Sequence, residues 1–289
     1  MKTERMFKQR PRPMLSAVVI TRNEERNLPW LLENLLHWVD EIVIVDDMST
    51  DRTAEIAAGA CNRVKFVRRA MCPELGYAGQ RNAGIEAASG DWLLHLDCDE
   101  RVPRPLASEI LDSISASDFD AYRYRRLNFF MHRPMRHGGW TSWNRAQLAR
   151  RGKHRFSRAL HEKCNIEGGE DRIGQLQNTI AHLNEACFAE RLKKSARYVE
   201  MTADEIEKSG KRITGAGIFL SAGFEFGKRY ILQRGFLDGV AGLIGAMHAA
   251  TSSFRSRALV WDRQNKIPRG DLERQFLWNN SVTDENVKS

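Results

Sequence analysis

Four short apolar runs at residues 15–20, 42–45, 64–67 and 92–96 are separated by stretches each long enough for a single helix. Strands that alternate with single helices need crossover connections, so the pattern predicts an α/β fold with a largely parallel, Rossmann-like sheet flanked by helices. In such sheets ligands bind beyond the carboxyl ends of the strands. Three of the runs stop there in polar or acidic residues: Thr21-Arg22-Asn23-Glu24, Asp46-Asp47 and Asp97-Cys98-Asp99-Glu100. Charge at the end of an apolar strand is costly unless it is paired or binds something.

The intervening helices are readable. Asn27 is placed to cap a helix with Pro29 in its first turn and Leu31, Leu32, Leu35 and Leu36 as its apolar stripe. Ser49 or Thr50 is placed to cap a short helix over 54–58, and further helices are expected over 79–88 and from Pro103 to Ile114. A strand is expected over 122–130. In an extended segment residues two apart share a face, so Asp97 and Asp99 are expected to converge on one cation. A hard divalent ion held by one or two carboxylates completes its shell with water and phosphate oxygens.

Composition narrows the setting. A chain of 289 residues with 42% hydrophobic content can build a core. Its five cysteines are odd in number and contain no C-x-x-C, which disfavours a zinc knuckle or a disulfide framework and points to a reducing compartment. The first apolar run is too short for a signal-peptide core, so a cytoplasmic protein is expected. The net charge of +8 is uneven: between Asp120 and Glu162 there are eleven Lys or Arg and no acid. A block of one sign is expected to face an anion.

The character changes beyond Gly168. A charge-rich amphipathic helix is predicted over 192–208, followed by apolar helical stretches at 213–226 and 235–254. Both stretches meet charges (Glu225, Lys228 and Arg229; Asp238) and neither reads as a membrane span. They are read either as a packed helical subdomain or as helices in a membrane interface. The organisation expected is a basic arm over 1–14, a main domain over 15–185, a helical region over 186–275 and a disordered tail over 276–289.

The segments Val18-Val19-Ile20-Thr21-Arg22-Asn23-Glu24, Val45-Asp46-Asp47-Met48-Ser49-Thr50-Asp51, Gln80-Arg81-Asn82-Ala83-Gly84 and Leu96-Asp97-Cys98-Asp99-Glu100 occur in the order and spacing of family 2 glycosyltransferases. One such motif is weak evidence, whereas four in register are strong. The resemblance covers roughly residues 15 to 165. Leu160-His161-Glu162 and Gly235-Phe236-Leu237-Asp238-Gly239 are similar to the branch of that family that builds bacterial lipopolysaccharide cores by β-1,4-glucosyl transfer.

The resemblance implies an inverting enzyme of the GT-A fold that uses a nucleotide sugar. It implies that Thr21, Asn23, Glu24, Asp46, Asp47 and Arg81 line the nucleotide site. Asp97 and Asp99 form the D-x-D motif, with Asp99 a direct ligand of Mg2+ or Mn2+ and Asp97 a ribose or water-mediated contact. Inverting transfer needs a base for the acceptor hydroxyl, and Glu162 holds that position. His161 orients Glu162, touches the donor phosphate or is a core histidine, and His182 is within the expected reach of metal or phosphate. Trp140 and Trp143 serve either as core or as a platform for a sugar face. A UDP-sugar donor, with glucose favoured, and a lipopolysaccharide-type or lipid-linked acceptor at the cytoplasmic face of the inner membrane are expected.

Two other readings compete. Transfer to a polyprenyl phosphate uses the same site, but many such enzymes carry C-terminal spans that this sequence lacks. The basic block with Tyr122, Tyr124, Phe129, Phe130 and Trp140 has the residue types of a nucleic-acid surface. That reading leaves the acidic strand ends unexplained and would set them against a polyanion.

Overall fold

A computed structural model describes residues 12–116, 118–141, 145–158, 162–183 and 187–278. The chain divides into two compact units, Met1–Ala186 and Cys187–Ser289. The first begins with β1 (Leu15–Thr21), α1 (Leu28–Leu35), β2 (Glu41–Asp46), α2 (Thr53–Ala58), β3 (Val64–Arg68), α3 (Gly76–Ala87) and β4 (Trp92–Asp97). It continues through β5 (Glu100–Arg101), α4 (Arg104–Ala116), β6 (Ala121–Phe130), β7 (Arg133–Met135), β8 (Leu148–Arg150), β9 (His154–Ser157), β10 (Lys163–Ile166) and β11 (Ile173–His182).

The main sheet runs β3-β2-β1-β4-β8-β6-β11-β5, with β7 paired to β6. β1 to β4 are mutually parallel, β6 and β11 are parallel to each other, and β8 and β5 run against their neighbours. This is the mostly parallel α/β sheet the alternation predicts. Its register gathers the motif ends on one edge: Thr21 lies opposite Asp46, and Ile20 opposite Asp97. Both faces of the β1–β4 strands are covered, since Val19, Ile44, Leu94 and Leu96 pack in one buried cluster and Val18, Val43, Val45 and Leu93 in another. Gly84 of α3 belongs to this packing, because a Cβ there would stand 2.2 Å from a Val18 methyl.

Several local expectations are corrected. Asn27 occupies the first cap of α1, but its side chain makes no cap bond and donates instead to Glu24 at 2.8 Å. Ser49 does not cap α2 either; its N–H and hydroxyl turn back to Asp46, and Asp51 takes the Thr53 N–H. The basic block is not a face of one sign. Arg126 and Arg145 point inward to acids distant in sequence, Arg150 lies over Trp92 beside Asp120, and Arg155 meets Glu86. The fold, not sequence neighbourhood, supplies the counter-charges.

The second unit contains α5 (Phe188–Lys208), α6 (Gly215–Gly227), α7 (Gly239–Gln264) and α8 (Arg269–Trp278). α5 and α6 both pack on α7. Among the described residues no helix is long and apolar enough to cross a membrane. α8 reaches into the stretch read as a tail, while 279–289 and most of the basic arm lie outside the described residues; Arg12, which is described, pairs with Asp40.

Candidate active site

At the centre of the motif edge is a buried arginine. Arg81, on α3, is 1% exposed, and it donates to Asp97 Oδ1 at 2.5 Å and to Glu162 Oε1 at 3.1 Å. The sequence around it explains why these groups meet. Asn82 gives and receives 2.9 Å bonds with the Phe156 backbone, which clips β9 onto α3. The ring of Phe156 lies under the Arg81 guanidinium at 5.6 Å. His95 of β4 and His154 of β9 meet Nε2 to Nε2 at 2.8 Å, a second tie for the same strand. Burial pushes both imidazoles below their ordinary pKa, so this tie is a neutral one. β10 pairs with β9 and begins one residue after Glu162, so these ties bring that carboxylate to Arg81.

The network extends through two more arginines. Arg145 reaches Glu162 Oε1 at 2.7 Å; Arg126, on β6, reaches Glu100 Oε1 at 2.6 Å and Asp97 Oδ2 at 3.3 Å. Three guanidiniums thus face three carboxylates. Burial opposes the charge on Asp97, but Arg81, Arg126 and Arg145 outweigh it and hold the carboxyl well below the usual range. Glu100 moves the other way, raised by its burial and by Asp97. Arg81 Nη1, Arg126 Nε and Arg145 Nε are buried without a partner among the described residues, so the network has N–H capacity to spare.

Asp97 and Asp99 take different partners. β4 ends at Asp97 and Cys98-Asp99 forms a turn, so the alternation of an extended strand stops before it reaches Asp99. Asp99 Oδ2 faces His182 Nε2 at 3.2 Å. His182 arrives because β11 pairs with β5, which sets it opposite Glu100, while the Leu183 N–H bonds the Asp99 carbonyl. The orientation of His182 follows from its neighbours. The Trp140 carbonyl can only accept, so the Asn128 amide nitrogen faces it at 2.5 Å and the amide oxygen faces His182 Nδ1 at 2.7 Å. Nδ1 therefore carries a hydrogen, and Nε2 is the ring nitrogen that faces the Asp99 carboxylate. An imidazole nitrogen and a carboxylate oxygen at this distance can share a proton or ligate one cation.

That donor set fits a divalent metal that draws its remaining ligands from water and substrate. Among the described residues no three His, Cys, Asp or Glu side chains gather, and Asp97 is taken up by arginines. A two-residue site matches a metal shared with phosphate oxygens, which needs few protein ligands.

The Asp46 corner is built differently. Asp46 is fully buried and accepts from the Thr21 hydroxyl at 3.1 Å, the Ser49 N–H at 2.9 Å and the Ser49 hydroxyl at 2.5 Å. Asp47 accepts from Arg22 and from the Met71 N–H, both at 2.7 Å. Asn23, at φ 55°, accepts from the Thr50 N–H, and burial raises the Glu24 carboxyl. Trp140 packs on Phe130 with ring centroids 5.2 Å apart. Trp143 and His161 lie outside the described residues. Beside Glu162 a cavity of 310 Å³ is lined by Arg123 with its partner Glu170, Arg145, Arg158, Lys163 and Cys164, whose thiol burial pushes up to about 12.

Sequence reasoning placed Arg81, Asp97, Asp99 and Glu162 but missed Arg126, Arg145, Asn128 and the tie through Asn82. The absence of any acid from 121 to 161 was the available signal for the two arginines, since buried cations require partners from elsewhere.

The α/β sheet carries its acidic strand ends on one edge, with a buried arginine between two carboxylates. Residues 16–170 match the model of glycosyl transferase family 2, and the chain belongs to that family. It is 32% identical over 91% of its length to the lipopolysaccharide core biosynthesis glycosyltransferase LpsC of Rhizobium meliloti (strain 1021), covering 97% of that protein. It is 26% identical over 94% of its length to an uncharacterized glycosyltransferase of Rickettsia bellii (strain RML369-C), again covering 97%. Among solved structures, residues 1–349 of S. aureus TarS align over 89% of this chain and 93% of that one, with 16% identity and a TM-score of 0.45.

Proposed function

We propose that this glycosyltransferase moves a sugar, glucose in our reading, from a UDP-sugar to a hydroxyl of a lipopolysaccharide-core or similar lipid-linked envelope glycan, with inversion, at the cytoplasmic face of the membrane. The observation that carries the reading is Arg81, which joins the first D-x-D carboxylate to Glu162. A donor-side group and the candidate base are thereby held in one rigid unit, as a single displacement requires.

In that displacement the acceptor oxygen bonds to the anomeric carbon as the bond from that carbon to the diphosphate oxygen breaks. Glu162 takes the acceptor proton. Both of its arginine contacts fall on Oε1, and among the described residues Oε2 is left to receive it. The corner of Thr21, Asn23, Glu24 and Asp47 takes the uracil and ribose, and Asp46 holds the turn that shapes it. Asp99 and His182 would hold Mg2+ or Mn2+, which neutralises charge on the departing diphosphate. The cavity beside Glu162, with Arg145, Arg158 and Lys163 in its wall, suits an acceptor bearing phosphate or carboxylate.

The direct test is thermal stabilisation by UDP with and without Mn2+, followed by transfer from a panel of UDP- and GDP-sugars to extracted lipid-linked acceptors. Metal-dependent stabilisation by UDP is expected. Stabilisation by oligonucleotides and none by UDP with metal would overturn the reading.

A further inference from the structure

β11 carries two residues more than straight pairing with β6 has room for. Ile173, Gly174 and Gln175 lie opposite Ala121, Tyr122 and Arg123, whereas Thr179 to His182 lie opposite Arg125 to Asn128. Between these stretches Leu176, Gln177 and Asn178 stand against Tyr124 alone. Leu176 and Tyr124 are buried in the same core cluster, so the surplus is Gln177 and Asn178. The N–H groups of those two residues turn to a side chain. Glu109, on α4, accepts from the Gln177 N–H at 2.6 Å with one oxygen; the other accepts from the Asn178 N–H at 2.9 Å and the Asn178 amide at 2.8 Å.

This bulge decides where His182 falls. Each residue advances a strand by about 3.3 Å, so a straight β11 would set Ile180 opposite Asn128 and carry His182 roughly 7 Å past it. A shift of two residues moves every later side chain along the sheet without turning it to the other face. Leu176 and Ile180 therefore stay in the core with or without the bulge, and only the partners change. With the bulge in place His182 has Asn128 on one side and Glu100 on the other. Its Nδ1 is then 2.7 Å from the Asn128 oxygen and its Nε2 3.2 Å from Asp99. The upstream end of β11 is held by packing. A Cβ on Gly174 would stand 2.6 Å from the Tyr122 ring and 2.8 Å from that of Phe119, so slack released at the bulge runs toward His182.

We infer that Glu109 is a positioning residue for the active site: by holding Gln177 and Asn178 out of the ladder it fixes the register that brings His182 to Asn128 and Asp99. A carboxylate suits the task, because its two oxygens meet three N–H donors at one bulge and bonds to an ionised acceptor are the stronger kind. Gln177 is five residues from His182, about 17 Å along an extended strand, so Glu109 acts on the site through the backbone. That His182 helps to hold a metal rests on the function proposed above; that Glu109 places His182 does not.

The test is Glu109→Ala in the full-length protein, read two ways. The nitrogen-15 signal of the His182 ring, recorded without nucleotide or metal, reports the bond to Asn128 and is expected to lose its hydrogen-bonded position. Mn2+ affinity in the presence of UDP, followed by the electron-spin signal of the ion, is expected to weaken by about tenfold or more, with metal-free UDP affinity unchanged. Two further variants separate placement from loosening. Deleting Gln177 and Asn178 in the Glu109→Ala background joins Leu176 to Thr179 and makes the pairing straight with His182 still opposite Asn128, so ring signal and Mn2+ affinity are expected to return. Tyr122→Phe removes a 3.1 Å bond to the Ser113 carbonyl of α4 and is expected to change neither. An unaltered His182 signal in Glu109→Ala overturns the inference. So does an equal loss in Tyr122→Phe, since any loosening around α4 would then suffice, and so does a folded deletion variant that recovers nothing. Wild-type protein without Mn2+-dependent UDP binding refutes the proposed function instead, and the ring signal still decides the role of Glu109.

Discussion

The two acidic strand ends look alike in sequence and are satisfied by opposite means. At Asp46-Asp47 the partners are mostly hydroxyls and backbone N–H groups from the same corner, with Arg22 the one cation. At Asp97–Asp99 the partners are guanidiniums from α3 and β6 and an imidazole from β11. Neutral local donors fix a turn. Charged donors from distant elements hold a carboxylate in place while leaving positive charge near the position a diphosphate would take. In the proposed reading Asp46 is the scaffold of its corner, which Asp47 and its neighbours offer to the nucleotide, while the second corner acts through electrostatics, a division that mutation can break.

The largest effect is expected at Arg81. Arg81→Ala leaves Asp97 with Arg126 alone and Glu162 with Arg145 alone, so the cost falls below the roughly 3–5 kcal/mol of a fully uncompensated buried charge. Transfer should be lost and the chemical-denaturation midpoint should fall. The acid limb sharpens this point. Because the folded pKa of Asp97 is depressed, its contribution is present above its unfolded value near 4 and is lost as pH falls through the folded one. In Arg81→Ala that loss should begin at higher pH. An unchanged acid limb would show that Arg81 does not control Asp97.

Glu162→Gln comes next. It keeps the shape and an acceptor oxygen for Arg81 and Arg145 but cannot take a proton. Turnover is expected to fall by about 10²–10⁴ with metal-dependent UDP binding retained. Full activity would place the base elsewhere and leave Glu162 as a structural partner of the arginines.

The metal side of the comparison is tested one residue away from the ligands. Asn128 fixes the ring orientation and the Nδ1 hydrogen of His182. Asn128→Ala should weaken Mn2+-dependent UDP stabilisation by about 10–100-fold, as loss of an orienting partner typically does. Binding unaffected by both this change and His182→Ala would remove His182 from the metal site.

Much of this edge was legible in the sequence because it depends on local pattern. Apolar runs ending in acids placed Thr21, Asp46 and Asp97, and the register confirms that they share one end of the sheet. What pairs with what was not legible. Arg126 reaches Asp97 and His182 reaches Asp99 only because β11 is parallel to β6 and antiparallel to β5, an ordering that no periodicity encodes. Asp97 and Asp99, expected to face one cation, take different partners, because the turn at Cys98-Asp99 follows directly on the strand end. Glu162 was found through resemblance; its contact with Arg81 depends on Asn82 and the His95–His154 pair, 59 or more residues apart in sequence from their partners.

The smallest effect is expected at the scaffold corner, and it decides how far the comparison holds. Asp46→Asn keeps an acceptor oxygen for the Ser49 N–H and turns its NH2 to the Thr21 and Ser49 hydroxyls, so all three bonds lose their charge assistance. A loss of about 1–2 kcal/mol in stability is expected, with UDP affinity changed only as far as the turn loosens. Restoring the turn separates scaffold from contact: a stabilising change elsewhere in the β1–β4 core should recover UDP binding if Asp46 acts through Ser49 and Thr21. If binding stays low in a protein as stable as wild type, Asp46 touches the nucleotide itself, and the two acidic corners are more alike than their partners suggest.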